Sequence, residues 1–413
     1  MGGVGAGCGP AFATEDSSLS AFTPAAATAL DGPEWLRARR VAAAERFAGS
    51  SLPTSEEEVW RYSRVDELDL DQWALGVAAA SVSDGAGLAE LGVYAGPVAD
   101  ASDSEAVLGS VIGAEPTDVF GLANDAFAAT PFLLRVPARV RVPEPITVVH
   151  QLAGDDAAVF PRLVVQAGEG SDVTVVERFA SGPDPLLVVP VTEIDAGPRA
   201  NVNHVTVQNL GPKTWQLGSQ VSRAGQESTF TSATAGLGGQ YARLRTDCRL
   251  EGRGATGNLL AVYFGQDDQT LDFRTFQDHR APDTTSDLLF KGAVGGHSRS
   301  VYTGLIKVRK EARGTNAFQT NRNIKLSDHA WAESVPNLEI ENNEVSCSHA
   351  SAVGPIDAEQ RFYLESRGVR PDLAERLVVA GFFDEVLDRF PASDASSAIR
   401  DLITAKLDRE VGT

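Results

Sequence analysis

Glycine-centred turns recur through the middle of the chain at a nearly constant interval. Gly170 in GEGSD, Gly197 in DAGPRAN, Gly225 in RAGQES and Gly254 in EGRGATG stand 27, 28 and 29 residues apart. Between them lie short alternating runs, such as ITVVHQL (146–152), RLVVQA (162–167), VTVVERF (173–179) and VNHVTVQNL (202–210), that read as strands. A period that holds without identity between repeats indicates a solenoid. Each coil then buries alternate residues and pairs its backbone with the coils on either side. Further along, GGHSRS (295–300), KEARGTN (310–316), SDHAWAE (327–333) and ENNEVS (341–346) mark turns about 15–17 residues apart. Two such intervals make one coil, so each coil reads as strand, turn, strand, turn. The expectation is a mainly β fold with a parallel β-helix-like, stacked-strand core over 140–354. A β-sandwich is the alternative, because short strands with frequent turns suit it as well.

Helical regions flank this core. Residues 1–30 carry little periodicity and read as a disordered lead-in. Residues 31–139 form an N-terminal helical and mixed region. In it, DGPEWLRARRVAAAERFAG (31–49) reads as a helix capped by Asp31, with Pro33 and Glu34 in its first turn and Gly49 at its end. Trp35, Leu36, Val41 and Phe47 are its candidate buried positions. DVFGLANDAFAATPFLLRVP (118–137) reads as a helix running into a strand. Residues 355–413 form a C-terminal helical domain, beginning at a capping box of Asp357 and Gln360 and turning at Gly368. Leu373, Leu377, Phe383, Val386, Leu387 and Phe390 recur at helical spacing, followed by Ile399, Leu402, Ile403 and Leu407 on one face.

With 39 Gly, 21 Pro and 7% aromatic residues in 413, the composition suits a turn-rich β protein. The net charge of −20 disfavours nucleic acid and anionic membrane surfaces as partners. The densest cationic stretch, IKVRKEAR (306–313), reads as a solvated strand-and-turn edge. No run approaches the ~18 apolar residues of a membrane span. Gly5-Ala6-Gly7-Cys8 faintly resembles a lipoprotein cleavage site, but neither a basic n-region nor an apolar h-region precedes it. Three scattered cysteines, Cys8, Cys248 and Cys347, make no disulfide framework and fit a reducing compartment, so a cytoplasmic location is expected.

Catalytic signatures are missing. No G-x-x-x-x-G-K-[ST] supplies a P-loop, no G-x-G-x-x-G opens a helix after a strand, and no G-x-S-x-G, H-E-x-x-H or C-x-x-C occurs. What remains is Cys347-x-His349. Thiolate and imidazole are both good ligands for iron or zinc, and residues i and i+2 of a strand face the same side. Two ligands are half of a four-ligand site. The pair is therefore a loop histidine beside a buried thiol, or part of a site that another chain completes. Cys248 reads as a core thiol, and FQDHRAPDTTSD (276–287), with Asp278, His279, Asp283 and Asp287, as a structured turn rather than a metal loop. His204, His297 and His329 have no partner at short spacing.

Several long stretches agree, in order, with one family. QDHRAPDTTSDLLFKGAVGGHSRSVYTGLIKV (277–308), NRNIKLSDHAWAESVPNLEIENNEVSCSHASAVGPIDAEQRFYLESRGV (321–369) and AERLVVAGFFDEVL (374–387) resemble the SufB/SufD family of iron–sulfur cluster assembly proteins. SLPTSEEEVWRYSRV (51–65) and NDAFAATPFLLRVPARVRVPEPI (124–146) resemble its N-terminal part. The Cys-Ser-His triplet followed by FYLESRG is similar to the SufD branch, although Ala350-Ser351 stands where a glycine usually follows the histidine. The resemblance implies a scaffold subunit that is not itself an enzyme. It would pair with a SufB-like subunit through the β-helices and carry a SufC-like ABC-type ATPase on its C-terminal helices. It implies a transient iron–sulfur cluster at the subunit junction, faced by His349 and Cys347 as shared metal ligands, with no cofactor held tightly by the isolated chain. Phe382, Phe383 and Leu387 become the expected ATPase contacts. Two alternatives stand beside this reading: a homodimeric scaffold, and a β-helix enzyme acting on carbohydrate.

Overall fold

A computed structural model describes residues 21–83, 87–113, 116–152 and 154–410. The N-terminal part holds helices α1 (Pro24–Thr28), α2 (Glu34–Ala48), α3 (Ser104–Val107) and α4 (Val119–Phe127). Strands β1 (Ala74–Leu75), β2 (Ala78–Ser83), β3 (Tyr94–Pro97) and β4 (Phe132–Val136) run among and after them. The coils then continue through β5 (Ile146–Leu152), β6 (Ala157–Val159), β7 (Arg162–Ala167), β8 (Asp172–Ala180), β9 (Leu186–Val188) and β10 (Val191–Ala196). Next come β11 (Asn201–Asn209), β12 (Thr214–Ala224), β13 (Thr229–Gly236), β14 (Tyr241–Leu250), β15 (Thr256–Gly265) and β16 (Thr270–His279). The last strands are β17 (Thr285–Val294), β18 (Arg299–Val308), β19 (Asn316–Lys325), β20 (Trp331–Ile340) and β21 (Ser346–Pro355). Helices α5 (Ala358–Ser366), α6 (Pro371–Leu387) and α7 (Ser393–Glu410) complete the chain.

Two sheets face each other across the interior. One runs β3-β4-β7-β10-β12-β14-β16-β18-β20, the other β2-β5-β8-β11-β13-β15-β17-β19-β21. Every pairing from β4 and β5 onward is parallel, while β2 and β3 join antiparallel. Parallel pairing between successive coils excludes the sandwich. The period is fixed at the turns. Gly170 takes φ +64°, and a Cβ on Gly197 would lie 2.8 Å from the Ala167 carbonyl oxygen of the coil behind.

The interior is a set of columns, one residue per coil. One column in the second sheet reads Ile146, Val175, His204, Ser232, Leu259, Leu288, Gln319, His349. Another places the Tyr263 ring over Gly292, where any Cβ would collide with it. Large and small neighbours thus interlock along the stack, as close packing of an interior requires.

The N-terminal part closes one end and one flank of the solenoid. Phe22, Phe47, Phe127 and Phe160 pack edge-on or tilted at 5.5–6.0 Å between centroids. Residues 21–30, read from sequence as the end of a disordered lead-in, belong to this body: Phe22 is buried and α1 is capped by the Thr23 side chain. Residues 1–20, with Cys8, lie outside the described residues. The cap of α2 is Pro33, not Asp31. Its buried stripe is Leu36, Arg40, Ala43, Ala44 and Phe47, with Trp35 and Val41 half-buried. Arg40 tolerates that stripe because its guanidinium donates to the carbonyls of Asp31, Ala128 and Ala129.

Charged side chains of the first sheet hold this part down. The buried Glu193 carboxylate accepts the N–H groups of Gly109, Val111 and Ile112 and pairs with Arg162 at 2.6 Å. Arg243 lies 3.9 Å over the Trp60 ring and donates to the Val59 carbonyl; Arg274 donates to Arg61 and Arg245 to Thr117.

Candidate functional site

Among the described residues, nothing covers the far end of the solenoid in this way. β20 and β21 are the outer strands of the two sheets. Trp331 N–H donates to Ser298 and Glu341 N–H to Val308, so the odd-numbered amides of β20 face β18. By alternation, its even-numbered ones face outward. Ser346 N–H donates to Thr315, which turns the amides of Cys347, His349, Ser351 and Val353 to the open edge of β21. Side chains of the interior columns are also uncovered here: Leu338 is 36% exposed, Ile340 43% and Val353 42%. Two free edges and an opened core at one end are unusual for a finished β protein.

Cys347 and His349 stand together in this mouth. They register with the buried interior residues Ala317 and Gln319, so both project to the inner side of β21. His349 is exposed. Cys347 is half-buried beside Ile306, Val308 and Ala317. Burial pushes the Cys347 thiol up, against the opposing effect of a hydrogen bond with the Ala317 backbone. Behind His349, the Gln319 amide donates to the Tyr302 hydroxyl at 2.7 Å, and its buried Oε1 has no partner. Among the described residues, no cluster of three or more His, Cys, Asp or Glu side chains is arranged to hold a metal ion. The chain by itself thus offers a thiol and an imidazole at a free strand edge.

The C-terminal helices lie against the outer face of the second sheet. Phe383 packs on Phe264, and the Lys291 ammonium donates to the Phe382 carbonyl and pairs with Glu385. This corrects two of the expected ATPase contacts. Phe383 and Leu387 are 1% and 2% exposed, committed to the core beneath α6, and present no surface to another chain. Phe382 is half-buried and lines a groove of about 1290 Å³ between α5, α6 and the sheet. The apolar side chains that do face outward are Phe362 and Tyr363 on α5 and Leu373 and Leu377 on α6.

The remaining sequence candidates resolve into structure. Cys248 is buried in the core, its thiol pushed up to about 12 by desolvation. His279 faces inward to Thr284 and Ser286 and is pushed down to about 4 by burial, while Asp278 faces outward and pairs with Arg280 and Arg309. The two point away from each other and form no metal loop. His297 and His329 stack at 5.0 Å on adjacent turns. His204 has a partner after all: its Nε2 donates to Glu177 at 2.9 Å, while His150 Nε2 donates to the other carboxylate oxygen at 2.7 Å. These three residues are 27 apart in sequence, one coil each. Short-range spacing misses them; the coil period finds them.

Fold and end geometry define a two-sheeted β-solenoid with helices at both termini, capped at one end and open at the other. Comparison with known proteins gives the family. Residues 150–382 match the model for the SUF system FeS cluster assembly SufBD core domain. An iron–sulfur cluster assembly SufBD family protein of Mycobacterium tuberculosis is 33% identical over 87% of this chain and 89% of its own length. A SufBD family protein of Mycobacterium leprae is 31% identical over 70% of this chain and 76% of its own, and the SufD protein of Bacillus subtilis 29% over 66% and 63%. The chain belongs to the SufBD family of iron–sulfur cluster assembly proteins.

Proposed function

We propose that this chain is a SufD-like scaffold subunit of a SUF assembly complex, with no ATPase or other catalysis of its own. It joins a SufB-like subunit end to end through β20 and β21, and carries a SufC-like ABC-type ATPase on the exposed faces of α5 and α6. The observation that carries this reading is the asymmetry of the solenoid. One end is sealed by antiparallel strands and helices, whereas the other leaves two strand edges and three interior apolar side chains in water. Such edges are satisfied by another strand.

The iron–sulfur cluster is cargo at that junction, held transiently. His349 supplies an exposed imidazole, Cys347 a second donor once its proton is lost, and the SufB-like chain the remaining ligands. Among the described residues no helix is long and apolar enough to cross a membrane, and the partners are soluble proteins in this reading.

His349→Ala tests it. In the complex co-expressed with its SufB-like and SufC-like partners, iron and acid-labile sulfide per complex are measured alongside native mass. The expected result is an intact complex that has lost most of its cluster. Full cluster content in an intact complex would remove His349 from the site.

A further inference from the structure

We propose that Gln319 is the positioning residue for His349: its side-chain carbonyl accepts one ring N–H of the imidazole, which holds the other ring nitrogen, unprotonated, toward a metal at the junction. This role rests on the ligand function given to His349 above and adds the residue that aims it. β19 sets Gln319 directly behind His349, in register across one strand spacing of about 4.8 Å. Its side chain is 1% exposed and reaches across the interior, where the amide Nε2 donates to the Tyr302 hydroxyl at 2.7 Å. Tyr302 is itself fixed by Thr275 Oγ1 at 2.9 Å. The opposite strand makes room for the amide. β18 has Gly304 at the crossing, and a Cβ there would collide with both Nε2 and the Tyr302 hydroxyl.

With Nε2 committed to Tyr302, the carbonyl oxygen Oε1 is buried and has no donor among the described residues. An acceptor anchored in the interior and left unpaired is costly, which calls for a donor that the fold keeps within reach. Its neighbours in the column offer one. Behind Gln319 stands Leu288, which has no polar hydrogen; ahead stands His349, which carries one on a ring nitrogen. Ser334, in register with Tyr302 on β20, also has a buried hydroxyl without a partner, but it makes no hydrogen bond with Gln319. The His349 ring is exposed and held by none of the described residues. A histidine that ligates a metal through one nitrogen donates from the other to a carbonyl or carboxylate, which fixes its tautomer and ring plane and raises its basicity. Gln319 is placed to supply that carbonyl.

The full chain titrated with Co²⁺ alone tests this role. The signal is the sulfur-to-cobalt charge-transfer absorption, taken as the part of the spectrum that Cys347→Ser abolishes. Gln319→Met keeps the length of the side chain and drops its acceptor, and is expected to weaken Co²⁺ binding at least about tenfold. In a His349→Ala background the same substitution is expected to change nothing further, whereas a merely structural loss would be repeated there. Gln319→Glu keeps an accepting oxygen in place and guards against misfolding of the Met chain. It is expected to bind close to native affinity, and only while His349 is present. Ser334→Ala is expected to bind as the native chain does. Native affinity in Gln319→Met, equal losses from it with and without His349, a Gln319→Glu chain as weak as Gln319→Met, or an equal loss from Ser334→Ala would overturn the positioning role and leave His349 a ligand. A native chain without the absorption, or one in which His349→Ala leaves it unchanged, would instead remove the ligand reading, and the role of Gln319 with it.

Discussion

Glu177 shows how a polar residue survives inside the solenoid. Burial by itself would raise its pKa, but hydrogen bonds from His150 and His204 outweigh that and bring it down to about 2. A carboxylate with a depressed folded pKa stabilises the fold above its unfolded titration, near 4.5, and that contribution is lost as pH falls toward about 2. Replacing Glu177 with Ala strands two imidazoles in an apolar interior, at an expected loss of about 3–5 kcal/mol. Urea denaturation at neutral pH measures it, and the difference between variant and native chain is expected to narrow near pH 2. Arg40 makes the related point for reading sequences. It interrupts the apolar stripe of α2, and only the carbonyls of Asp31, Ala128 and Ala129, two of them nearly ninety residues away, explain why it is tolerated.

Among the elements, α6 separates what spacing reveals from what it hides. Its apolar residues recur at helical intervals all around the helix, so the sequence marks them as important without saying which face is which. The structure puts Phe383, Val386 and Leu387 on the sheet and leaves Leu373 and Leu377 outside. The two faces should respond differently to substitution. Phe383→Ala is expected to cost about 3–5 kcal/mol of stability. Leu377→Glu is expected to leave the thermal midpoint nearly unchanged while weakening retention of the ATPase on co-purification. Equal loss of stability from both would mean that α6 has no free docking face. The strands of the core were legible in sequence almost to the residue: ITVVHQL and RLVVQA are β5 and β7 as they stand. The alternating pattern and the turn glycines report the same backbone. The short N-terminal strands β2 and β3 were not legible, because Ala, Gly and Ser carry no pattern and their pairing is imposed by β5 and β4.

For the whole molecule, the period gave the architecture, and the open end carries the proposed function. The interval of 27 to 29 residues between turn glycines implies stacked coils before any contact is known. It could not show that one end is sealed and the other open, since that depends on how the N-terminal part folds back over the first coils through Glu193, Arg243 and Arg274. Cys347 and His349 were visible as a pair from their spacing. Their place at a free edge was not, and the proposal that they are part of a shared ligand set rests on that edge. End-to-end docking is tested most directly by Ser351→Pro. Its amide points to the open edge, so proline removes no bond within the chain. In co-expression with SufB-like and SufC-like partners, native mass spectrometry of the purified chain is expected to show the SufB-like subunit lost and the ATPase kept. A Ser351→Pro chain that still carries both subunits at native stoichiometry would contradict docking through this edge.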